Sequence, residues 1–190
     1  MAEPAKQDAI VSSEDEELIL VDEHDTPIGH LDKASCHDGP GVLHRAFSLF
    51  LFDSNGRVLL QQRAPGKRLW PGYWSNSCCS HPRRSETMED AVVRRLDQEL
   101  GVRAQLHFLY KFRYQAAFET LGSEHELCWV YAGRCDQQPT VNSTEISDWR
   151  WLSAAELERE LDQYPERFTP WFKLEWARLQ TDYQTLINRL

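Results

Sequence analysis

The stretch that organises this chain reads Trp70-Pro71-Gly72-Tyr73-Trp74-Ser75-Asn76-Ser77-Cys78-Cys79-Ser80-His81-Pro82, and a helix-like run over residues 86–100 follows it. Cys79, a possible nucleophile or acid, precedes His81, a possible metal ligand, by two positions. On a strand, this spacing places both side chains on one face. A tryptophan-rich turn with a buried cysteine and a helix cap would explain the stretch equally well. The remainder of the chain decides between these interpretations.

Length and charge restrict the class of protein. A chain of 190 residues with 41% hydrophobic content predicts one core and a single domain over residues 17–190. Residues 1–16 are polar, acidic and aperiodic, which predicts a disordered tail. The net charge of -9 argues against nucleic acid or an anionic membrane as the partner. We therefore expect a small-molecule partner and a monomer or homodimer.

The cysteines and the N-terminus indicate the compartment. Five cysteines, with Cys78 and Cys79 adjacent, do not form a plausible disulfide framework and indicate a reducing environment. No apolar run approaches the length of a membrane span, and the N-terminus lacks the features of a signal peptide. We expect a cytoplasmic protein.

Hydrophobic periodicity predicts an alternation of strands and helices. The predicted strands cover residues 17–22, 28–33, 43–53, 57–62, 108–114, 124–131 and 149–151, and the third and fourth should form a hairpin. A helix over residues 87–100 has a cap at Ser85 or Thr87 and a stop at Gly101. A capping box at Ser153 predicts a helix ending near Leu161, and Thr169-Pro170 begins a long C-terminal helix.

Two carboxylates on the predicted strand over residues 124–131 need compensation. Glu124 and Glu126 share a face with Cys128, and the opposite face is also apolar, so the carboxylates point into the core. At roughly 6 to 7 Å apart they cost energy unless a cation, a proton or hydrogen bonds compensate them.

Three histidines also lack a simple packing role: His37, His44 and His81. Together with Glu124 and Glu126 they form a nitrogen and oxygen set suited to Mn²⁺, Zn²⁺ or Fe²⁺.

Three further features, a basic loop, a glutamate and a tryptophan, are ambiguous when each is taken alone. The basic loop 63–68 could be a solvated turn. Glu99 could be an exposed residue near a helix end, although a carboxylate is unfavourable there and indicates a metal or a basic ligand. Trp171 lies off the apolar stripe of the C-terminal helix and is therefore a candidate for a functional role.

These motifs together resemble the type 1 isopentenyl-diphosphate isomerases, which share the Nudix fold. The resemblance rests on His37 and His44, Trp-Pro-Gly-x-Trp at 70–74, Asn-Ser-x-Cys-x-His-Pro at 76–82 and Glu-x-Glu-x-Cys at 124–128, in that order. It covers nearly the whole chain from about Leu18. It implies an α/β fold, a Nudix-like α/β/α sandwich with a mixed β-sheet.

The resemblance implies interconversion of isopentenyl diphosphate and dimethylallyl diphosphate, in isoprenoid biosynthesis, through a tertiary carbocation. Cys79 and Glu126 would be the acid and base, Tyr114 would hydrogen-bond Glu126, and Trp171 would face the cation. The implied Mn²⁺ or Zn²⁺ ligands are His37, His44, His81, Glu124 and Glu126. Mg²⁺ would bind through Glu99 together with the substrate diphosphate. The implied metal-site residues also include Cys79. The implied substrate-binding residues are Lys33, Arg63 and Lys67.

Two alternatives remain at this point. One is a Nudix pyrophosphohydrolase acting on a nucleoside diphosphate derivative. However, Ser80 replaces the first glycine of the hydrolase signature, and Arg95 and Gln98 replace two glutamates used for metal binding and water activation. The other is a non-catalytic metal-binding module on the same scaffold, which leaves the combination of Cys79, Tyr114 and Glu126 unexplained.

Overall fold

A computed structural model describes residues 8–190 of the chain. The strands are β1 (Glu17–Val21), β2 (Pro27–Asp32), β3 (His44–Phe52), β4 (Val58–Arg63), β5 (Trp74–Ser75), β6 (Cys78–Ser80), β7 (Leu106–Phe118), β8 (Gly122–Arg134) and β9 (Ile146–Leu152). The helices are α1 (Lys33–Cys36), α2 (Met88–Arg95), α3 (Ala154–Gln163), α4 (Pro170–Arg178) and α5 (Gln184–Ile187). π-helical turns, Leu96–Leu100 and Leu179–Tyr183, follow α2 and α4. A 3₁₀ turn, Pro165–Arg167, precedes α4.

Strand β3 lies at the centre of the fold. It runs parallel to β8 and antiparallel to β6, and β7 pairs antiparallel with β8. Because side chains alternate along a strand, Phe50 packs in one core with α3 and α4, whereas Leu49 packs in a second core with α2. The sheet therefore has a helical layer on each face. The predicted α/β fold, with a mixed sheet between helices, is confirmed.

The predicted hairpin between β3 and β4 is correct at its turn and wrong beyond it. The Asp53 carboxylate accepts hydrogen bonds from the backbone N–H groups of Asn55 and Arg57 at 2.9 and 2.8 Å, which fixes the turn. The two strands pair only at Phe52 and Val58. Since β6 and β8 take the edges of β3, β4 pairs instead with β5 and β9.

Helix ends follow the local sequence signals closely. The Thr87 hydroxyl accepts a hydrogen bond from the backbone N–H of Asp90 at 3.1 Å, so Thr87, not Ser85, caps α2. Gly101 adopts a left-handed φ of 62° and ends the following π turn. Ser153 forms both bonds of the predicted capping box. Thr169 differs, because its hydroxyl bonds Ser75 Oγ at 2.9 Å instead of capping α4.

The prediction of a disordered tail over residues 1–16 differs from the structure at residues 9–16. Backbone carbonyls of this segment accept hydrogen bonds from the domain, including that of Val11 from Arg95 Nη1 at 2.7 Å. Composition indicated disorder because it reports neither these backbone bonds nor ion pairs with distant residues, such as that between Glu16 and Arg83. Residues 1–7 lie outside the described residues. Across residues 8–190, no helix combines the length and apolar character that a membrane crossing needs.

The loop after α1 is held against the turn between β7 and β8. The backbone N–H of Ser123 donates to the His37 carbonyl at 2.9 Å, and the Ser123 hydroxyl donates to the Gly39 carbonyl at 2.7 Å. The Arg68 guanidinium adds bonds to the carbonyls of Ala34 and Leu121 at 3.1 and 2.9 Å. These bonds fix the position of His37.

Gly122 allows this close approach. Its φ is 149°, and a Cβ atom there would lie 2.3 Å from the His37 carbonyl oxygen. We expect Gly122→Ala to lower the free energy of unfolding in urea by about 2 to 4 kcal/mol. The matched control is Gly39→Ala, whose φ of 54° is also left-handed but whose added Cβ meets no atom within 4 Å. It should cost only about 1 to 2 kcal/mol. Equal losses in both variants would contradict the steric explanation.

Candidate active site

Five potential metal ligands converge from four parts of the fold. His37 ends α1, His44 begins β3, His81 follows β6, and Glu124 and Glu126 lie on β8. One ligand atom from each lies within 4.8 Å of the others. The parallel register places His44 directly beside Glu126. The predicted set of three imidazoles and two carboxylates is brought together.

Hydrogen bonds orient two of the imidazole rings. His37 Nδ1 lies 2.7 Å from the Lys33 carbonyl oxygen, and His44 Nδ1 lies 2.7 Å from the Val42 carbonyl oxygen. A carbonyl oxygen only accepts, so Nδ1 carries the proton in both rings. In each ring Nε2 faces the carboxylates, the orientation that a second hydrogen bond gives to metal-binding histidines.

Unpaired atoms show that the cluster fits a divalent metal. His44 Nε2 and Glu124 Oε2 are buried and have no hydrogen-bond partner within residues 8–190. Glu124 Oε2 lies 2.9 Å from His37 Nε2, but the alignment is not that of a hydrogen bond. Buried polar atoms are rarely left unpaired, and a shared cation satisfies all of these atoms. The residues therefore suit a divalent metal.

The carboxylates stay ionised although they are buried. Burial opposes ionisation, but His37 lowers the pKa of Glu124, and His44 and Tyr114 lower that of Glu126. Burial likewise opposes protonation of His37, yet Glu124 raises its pKa to about 9. The reverse holds at His81, whose pKa falls well below its usual value because of burial and the neighbouring imidazoles. His37 thus offsets part of the negative charge of the two carboxylates, and the cluster retains an attraction for a cation.

A cavity of about 790 Å³ opens above this cluster. Cys79, Tyr114 and Trp171 line it beside the metal-ligand set. The Tyr114 hydroxyl donates to Glu126 Oε2 at 2.6 Å. Burial raises the pKa of the Cys79 thiol to about 12, although Arg63 opposes this. Cys79 is therefore a protonated thiol at neutral pH, in one cavity with an ionised Glu126.

The three predicted substrate-binding residues, Lys33, Arg63 and Lys67, line a part of the same cavity that is here called its basic end. Arg63 Nη2 donates to the Leu69 carbonyl at 2.8 Å, and its Nη1 lies 4.0 Å from Cys79 Sγ. Lys67 forms an ion pair with Glu145. This end is basic in a protein of net charge -9, so the cavity has a local preference for anions.

Glu99 differs from the other predicted site residues. It is buried and accepts a hydrogen bond from Arg95 Nε at 2.8 Å, so its partner in the structure is a basic side chain. Arg95 also pairs with Glu145 at 3.3 Å. The interpretation of Glu99 as an exposed residue is therefore wrong, because a guanidinium compensates its carboxylate. The spacing of four between Arg95 and Glu99 is a local signal that could have found this pair.

Sequence reasoning missed a further buried glutamate, Glu175 on α4. Its Oε1 lies 3.7 Å from Cys128 Sγ, and its Oε2 has no hydrogen-bond partner in the part of the chain that the structure describes. Burial raises the pKa of Glu175 to about 8, so the group is neutral at neutral pH. No local signal distinguishes it from the solvated glutamates of other helices.

Comparison with known proteins gives two kinds of likeness. The NUDIX domain model matches residues 42–172. Isopentenyl-diphosphate Delta-isomerase 1 of Photorhabdus laumondii is 44% identical, over 85% of this chain and 93% of its own length. The isopentenyl-diphosphate Delta-isomerase of Serratia proteamaculans is 46% identical, over 83% of this chain and 88% of its own.

Solved structures share the fold. The DR0079 protein of Deinococcus radiodurans superposes with a TM-score of 0.64 at 26% identity, covering 78% of this chain and 90% of that protein. A MutT protein of Methanosarcina mazei gives a TM-score of 0.62 at 17% identity, covering 75% of this chain and 96% of that protein.

Metal binding at the histidine and glutamate cluster is directly testable. We expect Mn²⁺ or Zn²⁺ to raise the melting temperature of the wild-type protein. At a metal concentration of 100 times the dissociation constant, binding adds about 2.7 kcal/mol to the free energy of unfolding. Glu124→Gln, which removes a ligand charge, should reduce or abolish the rise. The control, His24→Asn, changes an exposed histidine outside the cluster and should behave like the wild type. Equal stabilisation of all three proteins would contradict the assignment.

The buried Glu175 predicts a pH dependence of stability. An unfolded glutamate titrates near pH 4.3. Between there and the folded pKa of about 8, the folded chain retains a proton that the unfolded chain has released. The group therefore makes the free energy of unfolding fall as pH rises across this window. In urea unfolding from pH 5 to 8, Glu175→Gln should flatten the decline. The exposed control Glu158→Gln should leave it unchanged.

Proposed function

The chain belongs to the isopentenyl-diphosphate Delta-isomerases of the NUDIX superfamily, and we propose that Cys79 and Glu126 carry the proton transfers of its reaction. The enzyme interconverts isopentenyl diphosphate and dimethylallyl diphosphate. The double bond moves when one carbon gains a proton and another loses one. The site must therefore offer a protonated acid and an ionised base around the same hydrocarbon chain.

The observation that carries this proposal is the opposite ionisation of Cys79 and Glu126 in one cavity. Burial raises the pKa of the Cys79 thiol to about 12, whereas the His44 and Tyr114 contacts lower that of Glu126 against its burial. Paired groups whose environments separate their pKa values in this way are typical of acid and base partners. Cys79 is thus suited to donate a proton and Glu126 to accept one.

The proton balance follows from these roles. The Cys79 thiol adds its proton to the terminal alkene carbon, which leaves a thiolate and a tertiary carbocation. Glu126 then removes a proton from the methylene carbon on the other side of the cationic carbon, and the electrons of that C–H bond form the new double bond. One proton must return from Glu126 to Cys79 to reset the site. Tyr114 acts as a positioning residue, because its hydroxyl bond of 2.6 Å holds the Glu126 carboxylate.

The carbocation requires a wall that excludes water. Trp171 lines the cavity and is 2% exposed, and Trp70 packs edge-on against it with ring centroids 5.2 Å apart. An indole face attracts a cation by about 2 kcal/mol or more when both are desolvated. We assign Trp171 to stabilisation of the cation. The indole contributes no nucleophilic lone pair that would trap it.

The diphosphate belongs at the basic end of the cavity, where we assign its binding to Lys33, Arg63 and Lys67. Mg²⁺ bound there with the diphosphate, near Glu99 and Cys79, would neutralise phosphate charge, and Mn²⁺ or Zn²⁺ at the five-residue cluster would neutralise Glu124 and orient Glu126. We place the reaction in the cytoplasm, because all five cysteines are free thiols.

The test is proton NMR of isopentenyl diphosphate with the metal-loaded enzyme in heavy water. We expect deuterated dimethylallyl diphosphate to appear with the wild type. Cys79→Ala and Glu126→Gln each remove a proton-transfer group, so each should lower the rate by at least about 100-fold. The control is Cys135→Ala, a buried cysteine that does not line the cavity and should retain activity.

Two results would count against this function. Release of phosphate or pyrophosphate from a nucleoside diphosphate derivative, with isopentenyl diphosphate unchanged, would support the hydrolase alternative. Isomerisation that survives Cys79→Ala would retain the activity but remove Cys79 from the acid role.

A further inference from the structure

Residues 9–16, here called the N-terminal strap, cross the basic end of the cavity. Ile10, Ser12 and Glu14 line the same cavity as Lys33 and Lys67. The strap is acidic and the surface beneath it is basic, so the two are complementary in charge. The strap has no part in the isomerase chemistry described above.

Backbone carbonyls hold the strap in place. The Glu14 and Glu16 carbonyls accept from the backbone N–H groups of Ala34 and Lys33 at 3.1 and 2.9 Å. The Val11 carbonyl accepts from Arg95, and the Ala9 carbonyl accepts from Asn142 Nδ2 at 2.8 Å. The side chains of Ser12 and Glu14 take no part in these bonds. Both side chains can therefore be changed without undocking the strap.

These two side chains are bound to Lys33 instead. Lys33 Nζ donates to Ser12 Oγ at 2.7 Å and lies 3.3 Å from Glu14 Oε1. One hydrogen bond and one ion pair thus hold the Lys33 ammonium against the strap. Lys33 is one of the three residues that we assigned to the diphosphate. The oxygens of Ser12 and Glu14 therefore lie at the Lys33 ammonium where a phosphate oxygen would bind.

The contact between Lys33 and Glu14 is more exposed to solvent than the other contacts of the basic end. The Glu14 side chain is 52% exposed, whereas Glu145, the partner of Lys67, is 4% exposed. Arg63 bonds backbone carbonyls, which cannot be displaced without moving the chain. A carboxylate that can rotate into water costs little to displace. The Lys33 contact with Glu14 is therefore the one that an incoming anion can replace most readily.

We propose that Glu14, assisted by Ser12, is an internal competitor for Lys33 that a diphosphate must displace, and that the strap thereby sets the affinity for substrate and product. This inference rests on the proposed function. A competitor of this kind weakens substrate and product alike, because both carry the same diphosphate group, and it favours product release. Exposed ion pairs are weak, so removing Glu14 should tighten anion binding about two- to fivefold.

The test is isothermal titration of inorganic pyrophosphate, with saturating Mg²⁺, into the full-length protein. Glu14→Gln should lower the dissociation constant about two- to fivefold relative to the wild type. Asp15→Asn is the matched control, because it removes the same charge one position along, and no ion pair of Asp15 is found among the described residues. Its dissociation constant should stay close to that of the wild type.

The outcomes separate this proposal from the proposed function. Unchanged or weaker pyrophosphate binding in Glu14→Gln, equal gains in both variants, or no binding to the wild type would each overturn the competitor role. Failure of the wild type to isomerise isopentenyl diphosphate, with the selective gain in Glu14→Gln present, would overturn the isomerase function alone. If the competitor role and the isomerase function are both correct, Glu14→Gln should lower the KM for isopentenyl diphosphate by the same factor as the dissociation constant for pyrophosphate.

Discussion

The burial of two carboxylates on one strand is the constraint on which the rest of the site depends. Glu124 and Glu126 point into the protein, where an uncompensated charge costs several kcal/mol. Compensation comes from His37, His44 and His81, which reach the same point from separate elements. The fold meets this requirement through the parallel pairing of β3 with β8 and through the close approach of the His37 loop to Gly122. The sheet topology and the loop geometry together place the histidines that compensate the two buried carboxylates.

The same cavity separates two chemical tasks by charge. At the cluster end, contacts to His44 and Tyr114 keep Glu126 ionised, and burial keeps Cys79 protonated. At the basic end, the side chains of Lys33, Arg63 and Lys67 line the cavity although the protein is acidic as a whole, and of these Lys67 is already paired with Glu145. A hydrocarbon chain with a diphosphate at one end matches this division, because its charged group and its reacting carbons require opposite environments. Arg63 stands at the boundary, 4.0 Å from Cys79 Sγ and 5.3 Å from the centre of the Trp171 ring.

Sequence predicted the features that local signals encode. Alternation on β8 predicted the buried face of Glu124 and Glu126, and the caps at Thr87 and Ser153 were found because each involves residues three positions apart. Contacts between distant residues were not predictable in this way. Lys67 and Glu145 are 78 positions apart, and the partners of β4 depend on which edges of β3 are already taken. The docking of residues 9–16 uses carbonyl groups, which every residue carries, and side-chain pairs between distant positions, such as Glu16 with Arg83, 67 positions apart.

Arg95 explains how this scaffold departs from the hydrolase signature in physical terms. The residue stands where hydrolases of this fold commonly carry a glutamate, and its buried guanidinium pairs with Glu99 and Glu145. With Lys67, these residues form a buried group of two cations and two carboxylates, which is close to neutral. A neutral group does not attract a divalent cation on its own, whereas a glutamate in place of Arg95 would leave an excess of negative charge. The Mg²⁺ ion proposed for this end of the cavity would then depend on the diphosphate for its compensating charge, and metal and substrate would enter together.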